Sequence, residues 1–414
     1  MKRLLILGAG TAGTMTANKL RRKLSLSEWQ ITVVDRDNVH VYQPGLLFVP
    51  FGRYRRAELT KSRRQFLHRG IVFLTGEIDR VDATAKTVRL ADERVLAYDY
   101  LIVATGTSPR PEETPGMLGP QWRESIFDFY TPEGSAALAA ALPEFTGGRF
   151  VVHIVDQPIK CPVAPLEFAF LAEAYFRSRG MRDQVEIVYV TPSPGAFTKP
   201  VASARLSSML DERKIAVEPD FLVERIDAGR KVLVSYDERE IDFDLLVTVP
   251  LNRGADFVAR SGLGDELNYL PVDKHTFQST AHPDIFVLGD ANDLPISKAG
   301  SVAHFSADVF AGNFCEYVEG RPMTGSFDGH ANCFVESGDG KGLLIDFNYD
   351  TEPLPGTYPL QVFGPLSLLK ESSRTHWGKL AFRWIYWHLL LPGRRLPVPT
   401  RMSMRGKHQP GKEI

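Results

Sequence analysis

Cysteine is scarce in this chain of 414 residues, which contains only Cys161, Cys315 and Cys333. Three cysteines cannot form the dense disulfide framework that stabilises small secreted proteins, so that class is excluded. The number is still sufficient for one functional redox pair. Any redox chemistry of the side chains therefore depends on which two of these cysteines meet in the fold.

The sequence also has no long apolar run and no excess of charge. No stretch reaches the ~18–20 uncharged apolar residues that a membrane-spanning helix needs. The apolar run after Met1, Lys2 and Arg3 is too short for a secretory signal, so we expect synthesis in the cytoplasm and no membrane span. A net charge of −1 gives no overall attraction to nucleic acid.

A glycine-rich turn lies between two apolar runs at the start of the chain. The run Leu4–Leu7 is typical of a buried parallel strand, and a predicted helix and a second strand follow it. The pattern Gly-x-Gly-x-x-Gly follows the first run and leads into the helix, and its glycines are Gly8, Gly10 and Gly13. They allow a tight turn, close approach of a pyrophosphate and close packing of helix on strand, respectively. Asp35 closes the second strand, where a carboxylate accepts hydrogen bonds from a ribose. This setting predicts a dinucleotide-binding unit.

Two further apolar strands also end in short turns that contain glycine. One ends in Thr105 and Gly106, and the other ends in Gly289 and Asp290. Together with the first turn, these motifs resemble the two-dinucleotide-binding flavoprotein superfamily, from the N-terminus to about residue 320. The resemblance implies that Thr105 and Gly106 close the FAD domain and that Asp290 hydrogen-bonds FAD near its ribityl and pyrophosphate portion.

The second dinucleotide site of that superfamily lacks its glycines here. The strand Arg149–Ile154 leads into Val155–Pro165, a loop in which prolines and bulky side chains replace a phosphate-binding turn. The next strand runs into Thr191 and has no acidic residue at its end. We therefore expect that NAD(P)H does not bind and that electrons enter the flavin from another donor.

The three cysteines differ in their surroundings. Cys161 lies in the glycine-free loop before a helix predicted from Leu166 to about Arg179, where the helix dipole lowers the pKa of a thiol and favours the thiolate. The alternative for Cys161 is a buried structural cysteine. Cys333 stands outside any helical core pattern, before the β-like stretch Gly342–Tyr349. Cys315 lies in a helical stretch with apolar spacing, so we assign it to packing.

A flavoprotein with a lost nicotinamide site and cysteines at these places resembles the sulfide:quinone oxidoreductase family over nearly the whole chain. The segments that carry the resemblance are Lys160-Cys161-Pro162 with Ala164-Pro165, Asn332-Cys333-Phe334 and His376–Phe382. The resemblance implies that Cys161 and Cys333 form a redox pair on one face of the flavin. Quinone then binds on the other face, near the C-terminal helices.

The same resemblance assigns roles to four further side chains. Glu167 matches a carboxylate close to the cysteines, and we expect it to shuttle protons. Lys298 matches a position in a loop beside the isoalloxazine ring, and we expect its charge to stabilise negative charge on the reduced flavin. Lys379 and Phe382 match positions that contact quinone. Two simpler alternatives stand beside these roles, a solvated helix carboxylate for Glu167 and a surface lysine for Lys298.

The implied reaction is sulfide oxidation with electron transfer through FAD to quinone. Hydrosulfide attacks a disulfide or sulfur-bridged cysteine pair, one sulfur becomes a persulfide, and the other leaves as a thiolate. The sulfur then passes to a small-molecule acceptor or grows as a polysulfide. Many family members carry a further cysteine, which in some attaches the flavin covalently. Ser125–Pro132 contains none, so we expect non-covalent FAD.

The C-terminal segment Trp377–Leu391 is rich in aromatic and aliphatic residues. On a helix, Lys379 and Arg383 fall one turn apart and form a narrow basic stripe, which is typical of a helix lying in a membrane interface. Leu366–Lys370 is a candidate for a second, shorter amphipathic element. The alternatives are a helix buried against the FAD domain and the interface of a homo-oligomer.

Beyond this segment the chain becomes basic, which favours an anionic membrane surface. The basic residues of this tail, opposed by Glu413, are Arg394, Arg395, Arg401, Arg405, Lys407 and Lys412. We therefore expect a peripheral protein on the cytoplasmic membrane.

These observations predict an α/β protein with two Rossmann-like dinucleotide-binding domains, arranged as in glutathione reductase, and a C-terminal amphipathic region that associates with membranes. The predicted parts are a first FAD-binding segment at 1–112, a second Rossmann-like domain at 113–270, a second FAD-binding segment at 271–325 and a C-terminal region at 326–414.

Related functions remain as alternatives. A type II NADH:quinone oxidoreductase shares the cofactor, the fold and the membrane end, but the missing glycines and the cysteines count against it. A membrane-bound persulfide carrier or redox sensor would hold sulfur without turning over quinone, and Lys379 and Phe382 count against it. The chain also resembles the flavoprotein subunit of flavocytochrome c sulfide dehydrogenases, which are exported, whereas no export signal is visible here.

Overall fold

Two parallel β-sheets form the framework of residues 1–359 and 364–408, the part of the chain that the computed structural model describes. In spatial order, the strands of the first sheet are Ile285–Val287, Tyr100–Val103, Lys2–Leu7, Trp29–Asp35 and Ile71–Thr75. Those of the second sheet are Ile126–Phe127, Leu245–Val249, Gly148–Ile154, Val185–Val190 and Ala216–Glu218. The predicted fold class with two Rossmann-like sheets is confirmed.

The first sheet is completed by a distant part of the chain. Its strand Ile285–Val287 pairs in parallel with Tyr100–Val103, after the chain has built the second sheet. The run Leu4–Leu7 is at most 2% exposed, as expected for a parallel strand buried on both faces. Because parallel strands end at the same edge of a sheet, the turns that follow these three strands lie side by side.

Helices connect and cover the sheets. The α-helices of the described residues are α1 Thr11–Arg21, α2 Pro132–Ala141, α3 Ala164–Ser178, α4 Pro200–Glu212, α5 Asp256–Ser261, α6 Gly300–Val318 and α7 Ser373–Ile385. A π-helical segment, Tyr386–Leu390, continues α7. Shorter 3₁₀ segments are Gln43–Phe48, Arg56–Leu59, Arg63–Phe66, Pro111–Glu113, Leu142–Glu144, Arg182–Gln184 and Gly289–Ala291.

Aromatic side chains hold α3 on the second sheet. The ring of Phe168 stacks on Phe129 with centroids 4.6 Å apart and lies parallel to Phe150 at 6.3 Å. All three rings are buried. Burying a ring of this size stabilises the fold by roughly 1.5–3 kcal/mol relative to leaving it exposed. This packing fixes the first turns of α3, where Glu167 stands.

A third, mixed sheet lies in the C-terminal part of the chain, and α7 packs on it. In spatial order, its strands are Ala331–Gly338, Lys341–Phe347, Leu366–Leu368 and Gly356–Tyr358. The prediction of an amphipathic element at Leu366–Lys370 is therefore wrong. Leu366–Leu368 is a strand that pairs in parallel with Lys341–Phe347, and Leu368 is buried in the sheet.

Smaller antiparallel sheets complete the fold. Two three-stranded sheets consist of Ile78–Asp82, Thr87–Leu90 and Val95–Ala97, and of Val223–Asp227, Val232–Ser235 and Glu240–Asp242. Two-stranded ribbons pair Val39–Val41 with Thr60–Ser62 and Ser108–Pro109 with Asn252–Arg253. Within residues 1–359 and 364–408, no helix has both the length and the hydropathy that crossing a bilayer requires.

The basic C-terminal tail is only partly exposed. Arg394 and Arg395 are exposed, but Lys407 forms a buried ion pair with Asp346. His330 Nε2 lies 2.8 Å from Asp346 Oδ1 in the same cluster. Lys407 therefore holds the tail on the C-terminal sheet, and its predicted contribution to a membrane-facing surface is wrong. Lys412 and Glu413 lie outside the described residues.

Candidate active site

The glycine turn after the first strand forms an open cradle at the N-terminus of α1. Gly8 has a φ of +98°, and a Cβ there would lie 2.4 Å from the carbonyl oxygen of Ala104. A Cβ on Gly13 would lie 1.9 Å from the carbonyl oxygen of Gly8, so helix and strand approach too closely for a side chain. Gly10 faces open space, with no atom within 4 Å of the Cβ position. This space, next to the N–H groups of the first helical turn, suits a pyrophosphate.

Asp35 ends the strand beside this cradle. Its Oδ2 accepts a hydrogen bond from the N–H of Ala9 at 2.7 Å and lies 3.2 Å from Arg63 Nη1. Arg63 also donates to the carbonyl oxygen of Ala9 at 2.8 Å. The carboxylate therefore supports the glycine turn, and it stands at the strand end where a ribose is bound in such units.

The turns after the two neighbouring strands line the same edge of the sheet. Thr105 Oγ1 is buried without a hydrogen-bond partner among the described residues, and a bound ligand would satisfy it. Gly106 has a φ of +72° and open space at its Cβ position. Asp290 lies in the short 3₁₀ turn, and burial raises the pKa of its carboxyl although Lys298 opposes the rise. These features fit FAD, which supplies two-electron transfer chemistry when bound.

Lys298 is buried beside this edge, so the alternative of a surface lysine is wrong. Its Nζ donates hydrogen bonds to the carbonyl oxygens of Asp290 at 3.0 Å and Asn292 at 2.8 Å. The same nitrogen lies 3.7 Å from the ring centroid of Tyr269. Burial lowers the pKa of the Lys298 ammonium to about 8. The side chain is thus fixed next to the cradle, and desolvation disfavours its charged form.

The glycine-free loop Val155–Pro165 folds towards the cradle. A backbone bridge joins Lys160 to Lys298, and the N–H of Cys161 donates to the carbonyl oxygen of Lys298 at 2.7 Å. Tyr130 Oη donates to the carbonyl oxygen of Cys161 at 3.1 Å. Cys161 has a φ of +51°, a conformation that costs a non-glycine residue roughly 1–3 kcal/mol. The backbone N–H and carbonyl groups of Cys161 are therefore already hydrogen-bonded within the protein, whereas a phosphate-binding loop leaves its N–H groups free for the ligand.

Cys333 approaches the same place from the C-terminal sheet. It is buried in the strand Ala331–Gly338, which packs against α3. Burial raises the pKa of Cys333, and the neighbouring Cys161 raises it further. Both residues are free thiols. Cys315 lies elsewhere, half-buried in α6 and packed against the hydrophobic core. Cys161 thus lies close enough to Cys333 for its charge to act on that thiol.

The expectation of an acidic thiol at Cys161 is wrong. Burial raises the pKa of Cys161 to about 12, and the carboxylate of Glu167 adds to the rise, while Lys379 opposes it. The helix α3 begins only at Ala164. The helix dipole therefore acts on Cys161 from outside the first turn, where its effect has declined. Desolvation decides the outcome, and the cysteine is held as a thiol at neutral pH.

A buried ion pair lies beside the cysteines. Glu167 on α3 and Lys379 on α7 are in direct contact through Oε1 and Nζ. The N–H of Glu336 also donates to Glu167 Oε1 at 2.6 Å. Glu167 is only 1% exposed, so the alternative of a solvated helix carboxylate is wrong. Burial raises the pKa of Glu167 to about 7, although the ion pair with Lys379 opposes the rise.

The predicted basic stripe of Lys379 and Arg383 is wrong. Burial tends to lower the pKa of Lys379, but the carboxylates of Glu167 and Glu336 outweigh it and the net pKa is raised. Lys379 is therefore a charged group directed into the protein. Arg383 instead packs its guanidinium over the ring of Tyr54, with Cζ 4.4 Å from the centroid.

Phe382 lies one turn after Lys379 on α7. Its ring centroid is 6.5 Å from that of Phe334 and 6.4 Å from that of Tyr386. Lys379 Nζ lies 5.5 Å from the ring centroid of Phe48, within the range of a cation–π contact. The two residues predicted to contact quinone therefore stand in an aromatic-lined part of the protein.

The sequence interpretation missed a second acid–base pair next to the first. Glu336 Oε2 lies 2.8 Å from His376 Nδ1, and both residues are buried. A signal was present, because His376 precedes Lys379 by one helical turn and so shares a helix face with it. Tyr130, whose hydroxyl donates to the carbonyl oxygen of Cys161, was missed as well, and no pattern in the sequence marks it.

Comparisons with known proteins agree with this architecture. The family profile described as "Pyridine nucleotide-disulphide oxidoreductase" matches residues 2–138. The chain is 24% identical over 397 residues to the mitochondrial sulfide:quinone oxidoreductase of Mus musculus. This match covers 94% of the present chain and 86% of the mouse protein. It is 22% identical over 380 residues to the type II NADH:quinone oxidoreductase of Staphylococcus saprophyticus, and this match covers 83% of the present chain and 90% of that relative. The structure of the sulfide:quinone oxidoreductase from Aquifex aeolicus matches with a TM-score of 0.80 at 18% identity, covering 95% of this chain and 92% of that one.

The fold and the cradle define the class of this protein. It is an enzyme, an FAD-dependent oxidoreductase with the pyridine nucleotide-disulphide oxidoreductase fold, and FAD is its cofactor. Within this class the sequence is similar to mitochondrial sulfide:quinone oxidoreductases, at 24–26% identity over 93–95% of the chain. The resemblance that the motifs indicated is therefore confirmed.

Proposed function

We propose that this chain oxidises sulfide at the Cys161–Cys333 pair and passes two electrons through non-covalently bound FAD to a quinone at a membrane surface. One observation carries the proposal. Two cysteines from distant parts of the sequence stand beside one buried ion pair, Glu167–Lys379, and the charges of this pair act on both thiols. Similarity to sulfide:quinone oxidoreductases over nearly the whole chain supports the choice of substrates.

The cysteine pair reacts in its disulfide form. Hydrosulfide attacks one sulfur, a new sulfur–sulfur bond forms there, and the bond between Cys161 and Cys333 breaks, so that the second cysteine leaves as a thiolate. The persulfide sulfur is then transferred to a small-molecule acceptor. FAD, when bound, supplies the two-electron oxidation.

Glu167 is placed to hold the protons that this cycle moves. The thiols of Cys161 and Cys333 lose protons when the disulfide forms again, and buried neutral thiols need a base nearby to do so. With a pKa of about 7, Glu167 accepts and releases a proton near neutral pH, which is the condition for efficient general acid–base catalysis. Lys379 keeps a positive charge beside the sulfur atoms and opposes the rise in their pKa.

The loop before α3 supports sulfide rather than a nicotinamide as the electron donor. A pyrophosphate needs glycines and outward-facing N–H groups. In Val155–Pro165 there is no glycine, and the N–H of Cys161 is hydrogen-bonded to the carbonyl oxygen of Lys298. Cys161, the cysteine that we propose takes part in sulfide oxidation, stands in this loop.

Quinone binds beside Lys379 and Phe382 in this proposal. The ammonium offers a hydrogen bond to a quinone oxygen, and the phenyl ring offers apolar surface. On the outer side of α7, Trp377 and Trp384 are 65% and 59% exposed, with exposed Ala381 between them. Their spacing places them on one helix face, and tryptophan favours the zone where lipid meets water. This face supports peripheral attachment to the membrane in which quinone dissolves.

Sulfide-dependent reduction of decylubiquinone by the purified holoenzyme tests the proposal. The wild type should turn over, whereas Cys161→Ser and Cys333→Ser should each abolish turnover while retaining FAD. Cys315→Ser is the matched control and should behave as the wild type, because this cysteine lies near the end of α6, where its charged neighbours are Lys23, Glu319, Arg321 and Glu316 rather than Glu167 and Lys379. Full activity in either of the first two variants overturns the disulfide chemistry.

A further inference from the structure

Positions 53–64 form a strongly basic segment that the reaction described above does not use. The segment contains six arginine or lysine residues and a single carboxylate, that of Glu58. This is a large local excess in a chain whose net charge is only −1. The basic residues of the segment are Arg53, Arg55, Arg56, Lys61, Arg63 and Arg64.

Half of these cations are paired within the protein. Arg55, Arg56 and Arg63 lie within ion-pair distance of acidic side chains. The other three are exposed and form no ion pair with any residue that the structure describes, and they are Arg53, Lys61 and Arg64. The basic segment therefore presents three cations to solvent without internal countercharge.

The basic segment lies beside α7 and the π-helical segment that continues it. Cζ of Arg383 on α7 is 4.4 Å from the ring centroid of Tyr54. Nζ of Lys61 is 4.9 Å from the ring centroid of Trp387 in the π-helical segment. The ring of Phe66 stacks on the same tryptophan with centroids 5.1 Å apart. Because Arg383 and Trp387 are one helical turn apart, the basic segment follows the helix over that turn.

The outer face of α7 presents aromatic rings next to these cations. Trp384 directly follows Arg383, and both Trp384 and Trp377 are exposed. Arg374 is exposed one turn before Trp377 on the same helix. Tryptophan favours the zone where lipid meets water, and Lys and Arg side chains are attracted to anionic headgroups. Exposed indole rings beside unpaired cations therefore fit the surface of an anionic membrane, whereas a nucleic acid or an acidic protein would use the charge alone.

We propose that the basic segment binds the headgroups of anionic phospholipids while the tryptophans of α7 enter the lipid interface. This inference rests on the membrane attachment in the proposed function and names its lipid class. The charge comes from the FAD-binding part of the chain, since Lys407 of the C-terminal tail is already paired with Asp346. Three unpaired cations at an anionic surface should strengthen binding by on the order of 10²-fold. Salt should weaken this contribution because it screens exposed charges.

Flotation of the FAD-bound protein tests the lipid class, with phosphatidylcholine liposomes that contain or lack phosphatidylglycerol. The wild type should prefer the anionic liposomes, and high salt should remove the preference. The triple variant Arg53→Gln/Lys61→Gln/Arg64→Gln should bind anionic liposomes on the order of 10²-fold more weakly and should bind pure phosphatidylcholine as the wild type does. Its matched control removes the same charge at exposed positions outside the segment and should float as the wild type. This control is Arg80→Gln/Lys214→Gln/Lys274→Gln.

The outcomes separate this lipid contact from the proposed function. Equal binding of the triple variant and the wild type to anionic liposomes overturns the inference, as does equal binding of the wild type to both liposomes. A single-stranded oligonucleotide that binds the wild type as tightly as anionic liposomes, and loses affinity equally in the triple variant, would show a general polyanion site instead. If the wild type fails to reduce decylubiquinone with sulfide in detergent while flotation shows the expected pattern, the proposed reaction is wrong and the lipid contact stands.

Discussion

Glu167 on α3 and Lys379 on α7 form a buried ion pair although 212 positions separate them in the chain. The charge of Glu167 acts on the thiol of Cys161, and Lys379 lies one turn from Phe382. The contact therefore connects the place proposed for sulfide oxidation with the place proposed for quinone reduction. A change in either charged residue should affect both half-reactions.

Glu167→Gln should speed the alkylation of Cys161 and slow turnover with sulfide and quinone. Burial is the main cause of the raised pKa of Cys161, and the carboxylate of Glu167 is the next, so its removal lowers that pKa. Iodoacetamide should then alkylate Cys161 faster than in the wild type at a fixed pH. Turnover with sulfide and quinone should fall by on the order of 10²-fold, because the proton acceptor is lost. Peptide mass spectrometry measures the first effect and quinone absorbance the second.

The matched control for this variant is Glu173→Gln on the same helix. Glu173 pairs with Arg177, with Oε1 2.9 Å from Nε, and takes no part in the proposed chemistry. It should change neither the alkylation of Cys161 nor turnover. Slower alkylation of Cys161 in Glu167→Gln would show that the carboxylate does not raise the pKa of the thiol.

Lys379→Met should destabilise the protein because Glu167 is left as a buried carboxylate without its partner. Breaking a buried ion pair from one side costs about 3–5 kcal/mol of the free energy of unfolding, which urea titration measures. Adding Glu167→Gln should recover much of this loss, since no unpaired charge then remains buried. A double variant as unstable as Lys379→Met alone would argue that packing, rather than the unpaired charge, sets the loss.

Tyr386→Phe should weaken the binding of FAD. Tyr386 Oη lies 2.7 Å from Thr11 Oγ1 and 2.7 Å from His40 Nε2, so it ties the π-helical segment to the glycine turn. Losing these buried contacts should lower the free energy of unfolding by about 1–3 kcal/mol and speed the release of FAD. Thermal unfolding followed by flavin fluorescence measures both. The exposed Tyr236→Phe is the control, and equal FAD retention in the two variants would refute the link.

The exposed face of α7 should bind lipid through its tryptophans. The double variant Trp377→Ser/Trp384→Ser should bind phosphatidylglycerol-containing liposomes at least about tenfold more weakly, which corresponds to ~1.4 kcal/mol. A flotation assay measures the bound fraction. Tyr236→Ser removes an aromatic ring of similar exposure outside α7 and should bind as the wild type. Unchanged flotation of the double variant would exclude α7 as the membrane-binding face.

The FAD cradle was predictable because its determinants are local. Gly8, Gly10 and Gly13 set the backbone of one turn, and the strand before them is recognisable from its own apolar residues. Asp290 follows a similar strand, so its place at the sheet edge follows from the general geometry of parallel sheets. Nothing from distant parts of the chain is needed for these predictions.

The errors arose where burial by distant residues decides the outcome. The pKa of Cys161 depends on desolvation and on Glu167, which outweigh the helix dipole. Lys379 and Arg383 are one turn apart, but Lys379 is drawn into the protein by its partner on α3. The contact of Glu336 with His376 joins a strand to a helix across 40 positions, and local spacing does not encode such contacts.

Anaerobic stopped-flow absorbance of the FAD-bound protein, mixed separately with sulfide and with NADH, tests the central claim most directly. The proposed function predicts that sulfide alone bleaches the flavin, that NADH does not, and that added quinone restores the absorbance. Bleaching by NADH without bleaching by sulfide would contradict it, and the protein would then be an NADH:quinone oxidoreductase whose loop Val155–Pro165 binds the nicotinamide cofactor without glycines.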